Sequence, residues 1–294
     1  TMAGGLHPPL ELLRAWQTDA YPHGIRRDWS LVIVCAVFFP ITVLSVVLRL
    51  YARFAIQRNV GLDDIFIISA ILPVTGLIIT IALASRIYGF DRHAWDLTPE
   101  LAIASRKATM AISALYIIGT GLTKISILFF YRRMASGSVS NWFLYVVWAN
   151  IIAIIAYMIT FLCTLFLGCY PTNSYWNQAV PQWAATHDWH CYNEGADMLT
   201  ASAISVAQDF LACGLPLLLF WKLQISMRQK IALGAIFGAG LFSCICGLVR
   251  TAYIHVVYYT TYDITWAAVP IWGWTAVEAN VAIICASAPA LKVF

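Results

Sequence analysis

The sequence predicts an all-α membrane protein, a bundle of seven transmembrane helices with its N-terminus outside or lumenal and its C-terminus cytoplasmic. Three observations carry this expectation. Of 294 residues, 61% are hydrophobic and 11% charged, whereas soluble domains carry about a quarter charged residues. Seven apolar stretches are long enough to cross a bilayer core, which takes about 20 helical residues. The basic residues collect in alternate connections, which places those connections in the cytoplasm.

The elements follow in order. Residues 1–28 are polar and have no apolar run that would serve as a signal peptide, so an N-terminal outer segment (1–28) precedes a seven-helix domain (29–294). The spans fall near 29–50, 64–87, 106–131, 142–168, 198–221, 230–257 and 266–290. Each is helical because a lone segment in lipid must satisfy its own backbone hydrogen bonds. Loop 1–2 carries Arg49, Arg53 and Arg58, loop 3–4 carries Arg132 and Arg133, and loop 5–6 carries Lys222, Arg228 and Lys230. Loops 4–5 and 6–7 have no Lys or Arg. Loop 2–3, "YGFDRHAWDL" (88–97), is flanked by Arg86, Arg106 and Lys107 and runs against the pattern, but Asp91, Asp96 and Glu100 balance those charges.

Cys169 and Cys191 bracket loop 4–5. An outward loop meets an oxidising compartment, so a Cys169–Cys191 disulfide is expected. The six other cysteines lie inside spans and read as small apolar fillers. No ligand cluster at zinc spacing is present, so no metal is expected. Many tryptophans, Trp221 among them, mark span ends as an interfacial belt. The tryptophan-rich loop 4–5 and "WAAVPIWGW" (266–274) exceed what a belt needs. Trp95, Tyr116, Trp176, Tyr253, Trp272 and Trp274 are expected to wall an apolar, outward-opening pocket.

Ionisable residues inside spans are costly and mark networks or function. "GLDD" opens span 2 with Asp63 and Asp64 at a helix N-terminus, where carboxylates are favoured; Lys124 is expected to staple them. Asp209, Arg250 and Glu278 come from spans 5, 6 and 7 at compatible depths and are expected to meet. Two acids and one arginine leave room for an acid with a raised pKa, the requirement of general acid catalysis. His255 extends this polar path outward.

Span 7 has no Lys before Lys292 at its far end, so no retinal Schiff base is expected. Span 3 ends "FFYRRM" and span 7 ends "ASAPALKVF", unlike the large family of G-protein receptors. There is no nucleophile elbow, P-loop, dinucleotide fingerprint or HExxH, and no cofactor is expected. Net charge is +4 with no clustered basic face, which argues against nucleic acid.

The blocks "VLRLYARF" (47–54), "GLDDIFIISA" (61–70), "TKISILFFYRR" (123–133), "CYPTNSYW" (169–176), "QDFLACGLPLLLFWKLQISMRQKIAL" (208–233), "GLVRTAYI" (247–254) and "EANVAIICASAPAL" (278–291) occur in this order. With them the chain resembles the fungal rhodopsin-domain family of seven-helix membrane proteins, the satratoxin-cluster type. The resemblance implies seven helices, does not imply retinal, and leaves either a receptor or a non-redox cyclase of secondary metabolism. It shifts Asp209, Arg250 and Glu278 toward a shared scaffold network. Loop 88–97 follows the family pattern Gly-x-Gly-x-His-x-Trp-Asp-Leu at Gly89, His93, Trp95, Asp96 and Leu97 but has Asp91 at the second glycine. Asp tolerates left-handed turns better than most residues, so this is either drift or, with an acid beside His93, a general acid–base pair.

Two functions fit these features. One is a membrane-embedded, cofactor-independent cyclase or isomerase for an apolar polyketide or terpenoid intermediate. Asp91, His93, Asp209, Arg250, His255 and Glu278 are its candidate catalytic residues. The other is a seven-helix receptor for a surface or chemical cue. Loops 3–4 and 5–6 span roughly ten residues each and few residues follow span 7, which favours the enzyme over a receptor with an intracellular docking surface. A transporter has less support, because seven spans do not divide into equal repeats. The expected partners are a small apolar molecule and the bilayer of the endoplasmic reticulum or plasma membrane.

Overall fold

The apolar runs fold as helices throughout. The computed structural model describes residues 5–18, 21–135, 141–220 and 227–290; Trp221, Lys222 and Lys292 lie outside them. A short helix α1 (Leu10–Ala15) precedes α2 (Ser30–Tyr51), α3 (Leu62–Ala84), α4 (Pro99–Ala135) and α5 (Asn141–Leu167). The connection after α5 holds strand β1 (Cys169–Tyr170), helices α6 (Ser174–Asn177) and α7 (Pro181–Thr186), and strand β2 (His190–Cys191). Helices α8 (Glu194–Phe220), α9 (Met227–Tyr259) and α10 (Ile264–Ser287) complete the bundle. Seven of these helices are long and apolar enough to cross a membrane.

Burial separates two kinds of helix. The apolar windows of α4 and α10 are 72% and 67% buried, against 28–39% for the other five. The buried pair forms the centre, with α10 packing against α2, α3, α4 and α9. The other helices turn a broad apolar face outward, as lipid allows. Close approach of α3 and α4 depends on Gly119: a Cβ there would stand 2.8 Å from the Val74 side chain. Residues of α2, α3, α4, α5, α9 and α10 share one large core that includes Leu77, Ile112, Tyr116, Phe161, Ile254 and Trp272.

Cys169 and Cys191 are bonded, and their strands pair antiparallel with these two residues opposite each other. They mark the disulfide end of the bundle. The opposite end carries Arg49, Arg53 and Arg133. Helix α4 is longer than its apolar run suggests: 37 residues, starting at Pro99 rather than near 106. A proline suits a first helical position, where its missing N–H costs nothing.

The structure pairs Asp63 and Asp64 differently from the sequence expectation. Their partner is Arg49 of α2, which is 1% exposed. Its Nη2 lies 2.7 Å from Asp63 and its Nε 2.9 Å from Asp64, and its Nη1 donates to the Ala286 carbonyl of α10. Arg133 of α4 adds a 3.2 Å bond to Asp63. Lys124 does not take part. Ser126 of α4 faces α3 and donates to the Asp63 carbonyl at 2.6 Å. Two residues earlier on a helix is a rotation of about 200°, so Lys124 points to α8.

Candidate functional site

At the disulfide end the helices splay around a cavity of about 770 Å³. Its walls are mostly apolar: Ile112, Ile117, Met198, Ile254, Val257, Ile271 and Trp272 from α4, α8, α9 and α10. The N-terminal segment roofs it. Leu6, His7, Leu10, Leu13 and Trp16 line the cavity. Gly5 N–H is bonded to the Thr261 carbonyl, and the His7 ring packs against Trp189. Trp95 of loop 88–97 packs on Trp16 and Tyr21 and donates to the Pro22 carbonyl at 3.1 Å.

The floor is polar. Arg250 Nε donates to Glu278 Oε2 at 2.8 Å. The Tyr116 hydroxyl donates to Glu278 Oε1 at 2.5 Å and accepts from Arg250 Nη2 at 2.6 Å. Tyr116 and Arg250 line the cavity, while Glu278 sits behind them. Gly247 lets α9 come close: a Cβ there would stand 2.8 Å from Val206 and 3.6 Å from Glu278. Beside the floor, Ser202 and Thr251 hydroxyls share a 2.6 Å bond.

A second charged pair sits higher in the wall. Arg106 grips Glu194 with both terminal guanidinium nitrogens, Nη1 at 2.9 Å. Tyr258 and Tyr175 hydroxyls donate to the same carboxylate at 2.8 and 3.3 Å. Such bidentate, fully bonded pairs are the form in which buried charge is tolerated. Arg106 and Arg250 thus each carry an internal counter-charge, and the cavity has no net charge from its arginines. In the roof, burial and the Arg106 charge hold His7 below the usual histidine pKa, which favours its neutral form.

Three of the expected pocket residues, Trp95, Tyr116 and Trp272, line this cavity; Trp176, Tyr253 and Trp274 do not. Trp176 lies under the Lys107 ammonium, and Tyr253 is 38% exposed on the outer face of α9. Arg250 and Glu278 meet as expected. Asp209 instead pairs with Lys124 at 3.1 Å and joins the cluster through Lys124 and Ser205.

Asp91 and His93 do not pair with each other, and neither lines the cavity. Asp91 is 3% exposed, within 3.8 Å of both Arg26 and Arg92, and its backbone is not in the left-handed region. His93 Nδ1 is bonded to Asp263 at 2.6 Å, and its ring is stacked between Trp95 and Trp266 at 4.3 and 4.0 Å. This clamps the loop to the start of α10. Asp96, partly buried, is nevertheless held below the usual carboxylate pKa by His23 at 2.7 Å and by the Gly24 N–H. His255 lies on the exposed side of α9, stacked on Tyr259. Sequence reasoning missed the roof, Arg106, Glu194 and Ser205. The spacing of Leu6, Leu10, Leu13 and Trp16 held a usable helical signal for the roof.

Residues 48–294 match the fungal rhodopsin domain family. The chain is 29% identical over 278 residues to the polyenoic acids biosynthesis gene cluster protein Ba17b of Metarhizium anisopliae, which covers 88% of this chain and 71% of that protein. It is 29% identical over 167 residues to a SAT4 family membrane protein of Emericella nidulans, covering 55% and 41%. It is 26% identical to Receptor GIN3 of Arthrobotrys oligospora, covering 87% and 60%. The chain therefore spans between 41 and 71% of the length of these relatives. No solved structure matches it. With seven membrane-length helices and a domain match that spans most of its length, the chain is an integral membrane protein of the fungal rhodopsin domain family.

Proposed function

We propose that the chain is a cofactor-independent cyclase or isomerase that takes a neutral, largely apolar polyketide or terpenoid intermediate of fungal secondary metabolism into the cavity at the disulfide end. One observation carries this reading: an apolar chamber whose floor presents the Tyr116 hydroxyl and the Arg250 guanidinium, with a carboxylate directly behind them. A volume of about 770 Å³ lies in the range of small-molecule sites, and a few convergent polar groups in an apolar wall are their usual form. The internal neutralisation of both arginines favours a ligand with carbonyl or hydroxyl oxygens over one with a free carboxylate. A relative named for a polyenoic acid biosynthesis cluster supports the metabolic setting.

Tyr116 is the contact that exchanges a proton. As its oxygen takes a hydrogen from the carbon next to a ligand carbonyl, its own hydrogen passes to Glu278 Oε1. The carbonyl oxygen gains negative charge, which Arg250 stabilises in a site sheltered from water. The reverse transfer, at another carbon or after ring closure, returns the hydrogen and leaves the protein unchanged. The walls contribute by folding a flexible chain into a reactive shape. Asp91, His93 and Asp96 hold the roof. The disulfide end faces the outer or lumenal side, in the endoplasmic reticulum or plasma membrane.

The test is to incubate the purified protein in nanodiscs with linear intermediates and compare products with the protein-free reaction. Tyr116→Phe should return the product ratio to the spontaneous one. A wild-type ratio equal to the spontaneous one refutes catalysis. The similarity to Receptor GIN3 favours a second reading, a receptor using the same cavity. Saturable binding of an intermediate that is recovered unchanged would select it.

A further inference from the structure

The polar floor does not end at Glu278. Ser205 Oγ lies 3.2 Å from the Tyr116 hydroxyl and 2.9 Å from Lys124 Nζ. Lys124 Nζ in turn lies 3.1 Å from Asp209 Oδ1. Lys124 and Asp209 line a second, smaller cavity of about 80 Å³, together with Tyr131, Cys213, Ser243 and Cys285. That cavity lies toward the arginine-rich end. Asp209 Oδ2 is buried and has no hydrogen-bond partner among the described residues. Nothing in the proposed reaction uses Ser205, Lys124 or Asp209, although each sits in lipid-buried bundle where an ionisable group is costly.

We infer that Asp209, Lys124, Ser205, Tyr116 and Glu278 form a proton wire joining the two cavities, so that the protein conducts protons between the two halves of the bundle. Every link is an oxygen or nitrogen within 2.5–3.2 Å of the next. From Lys124 onward the bonds also run in one sense. Lys124 donates to Ser205, Ser205 can donate to Tyr116, and Tyr116 donates to Glu278.

In one passage a Lys124 N–H bond breaks as a Ser205 O–H bond forms. The original Ser205 hydrogen moves to Tyr116, and the original Tyr116 hydrogen moves to the Glu278 carboxylate. Lys124 and Glu278 end neutral, and both hydroxyls keep one hydrogen. Glu278 then passes its proton back to Tyr116 as Tyr116 releases one to water or to a basic ligand atom in the large cavity. Lys124 regains a proton from water of the small cavity, held by Asp209. Other titratable groups beside the wire include Arg250 of α9, Tyr157 of α5, next to Ser205, Cys246, next to Glu278, Cys213 and Cys244, next to Asp209, and Tyr131 and Cys285 in the wall of the small cavity.

The experiment needs no substrate, so its outcome is separate from that of the catalytic reading. Purified protein is placed in liposomes containing a trapped pH dye, and a potassium gradient with valinomycin drives proton entry. Wild-type vesicles should acidify several-fold faster than protein-free vesicles. Ser205→Ala should fall to the protein-free rate while melting within a few degrees of wild type, and Ser205→Thr should keep conduction. If Ser205→Ala does not reach the vesicles, Tyr116→Phe breaks the next link and serves in its place. Wild-type flux equal to the protein-free rate, or undiminished flux in the folded variant, overturns the wire.

Discussion

Arg250 and Glu278 offer a measurement that separates holding the bundle together from doing chemistry. Glu278→Leu leaves the Arg250 guanidinium buried with only Tyr116 against it; Arg250→Met strands the Glu278 carboxylate in the same way. Removing one member of a buried pair costs about 3–5 kcal/mol, whereas replacing both by apolar groups of similar volume is often neutral. For a chain of 294 residues each kcal/mol moves the melting temperature by about 2 °C. Each single variant should therefore melt roughly 6–10 °C below wild type in the same detergent. The double variant Arg250→Met/Glu278→Leu should recover most of that loss, because neither charge is left without its partner. Intrinsic tryptophan fluorescence reports the melt. The double variant should then be tested with substrate: folded but inactive protein assigns the pair to chemistry as well as to packing. Simple additivity of the two single losses would refute the reasoning, since it would mean that neither charge depends on the other.

Arg49→Met should cost about 3 kcal/mol, as it removes the guanidinium bonded to both acids and leaves them only the longer contacts of Arg53 and Arg133, while Arg58→Ala, on an exposed residue, should stay within about 0.5 kcal/mol; equal melting temperatures would remove Arg49 from the network. The Cys169–Cys191 bond closes a loop with a sequence separation of 22, for which the chain-entropy relation gives about 3 kcal/mol. A reductant should lower the wild-type melting temperature and leave that of Cys191→Ser unchanged. His7 is held below its ordinary pKa, so the stability it lends to the docked roof is full above about pH 6.5 and is lost as the pH falls below that value. Hydrogen exchange over residues 6–17 should therefore speed up between neutral and mildly acidic pH beyond the intrinsic rate change, and His7→Phe should abolish the excess. An unchanged profile in His7→Phe would place the acid response elsewhere.

The seven spans were legible because length and apolarity alone decide whether a segment can dissolve in lipid. The disulfide was legible from two cysteines bracketing one outward loop. What the linear sequence hides is azimuth. Depth put Lys124 near Asp63 and Asp64, but the face it presents is set by its neighbour Ser126, which already meets α3. Long-range pairing is hidden for a related reason. Arg106 and Lys107 look like the end of a span, yet Arg106 is satisfied by Glu194, 88 positions away, and the helix runs on to Pro99. Loop 88–97 was rightly marked as unusual in charge. Its acid and histidine take separate partners: Arg26 of the N-terminal segment and the neighbouring Arg92 for one, Asp263 at the start of α10 for the other.

The roof lies before residue 48, where the family match begins, whereas the floor lies well inside it. Leu6, Leu10, Leu13 and Trp16 touch the cavity without bonding to Arg250, Glu278, Arg106 or Glu194. Changes in those four side chains can therefore alter the shape and length of the molecule admitted while every charge pair of the bundle stays intact. The reacting end and the fitting end of the chamber are separable by design of the chain, so the relation between ligand size and N-terminal sequence can be explored by grafting this segment alone onto a related bundle.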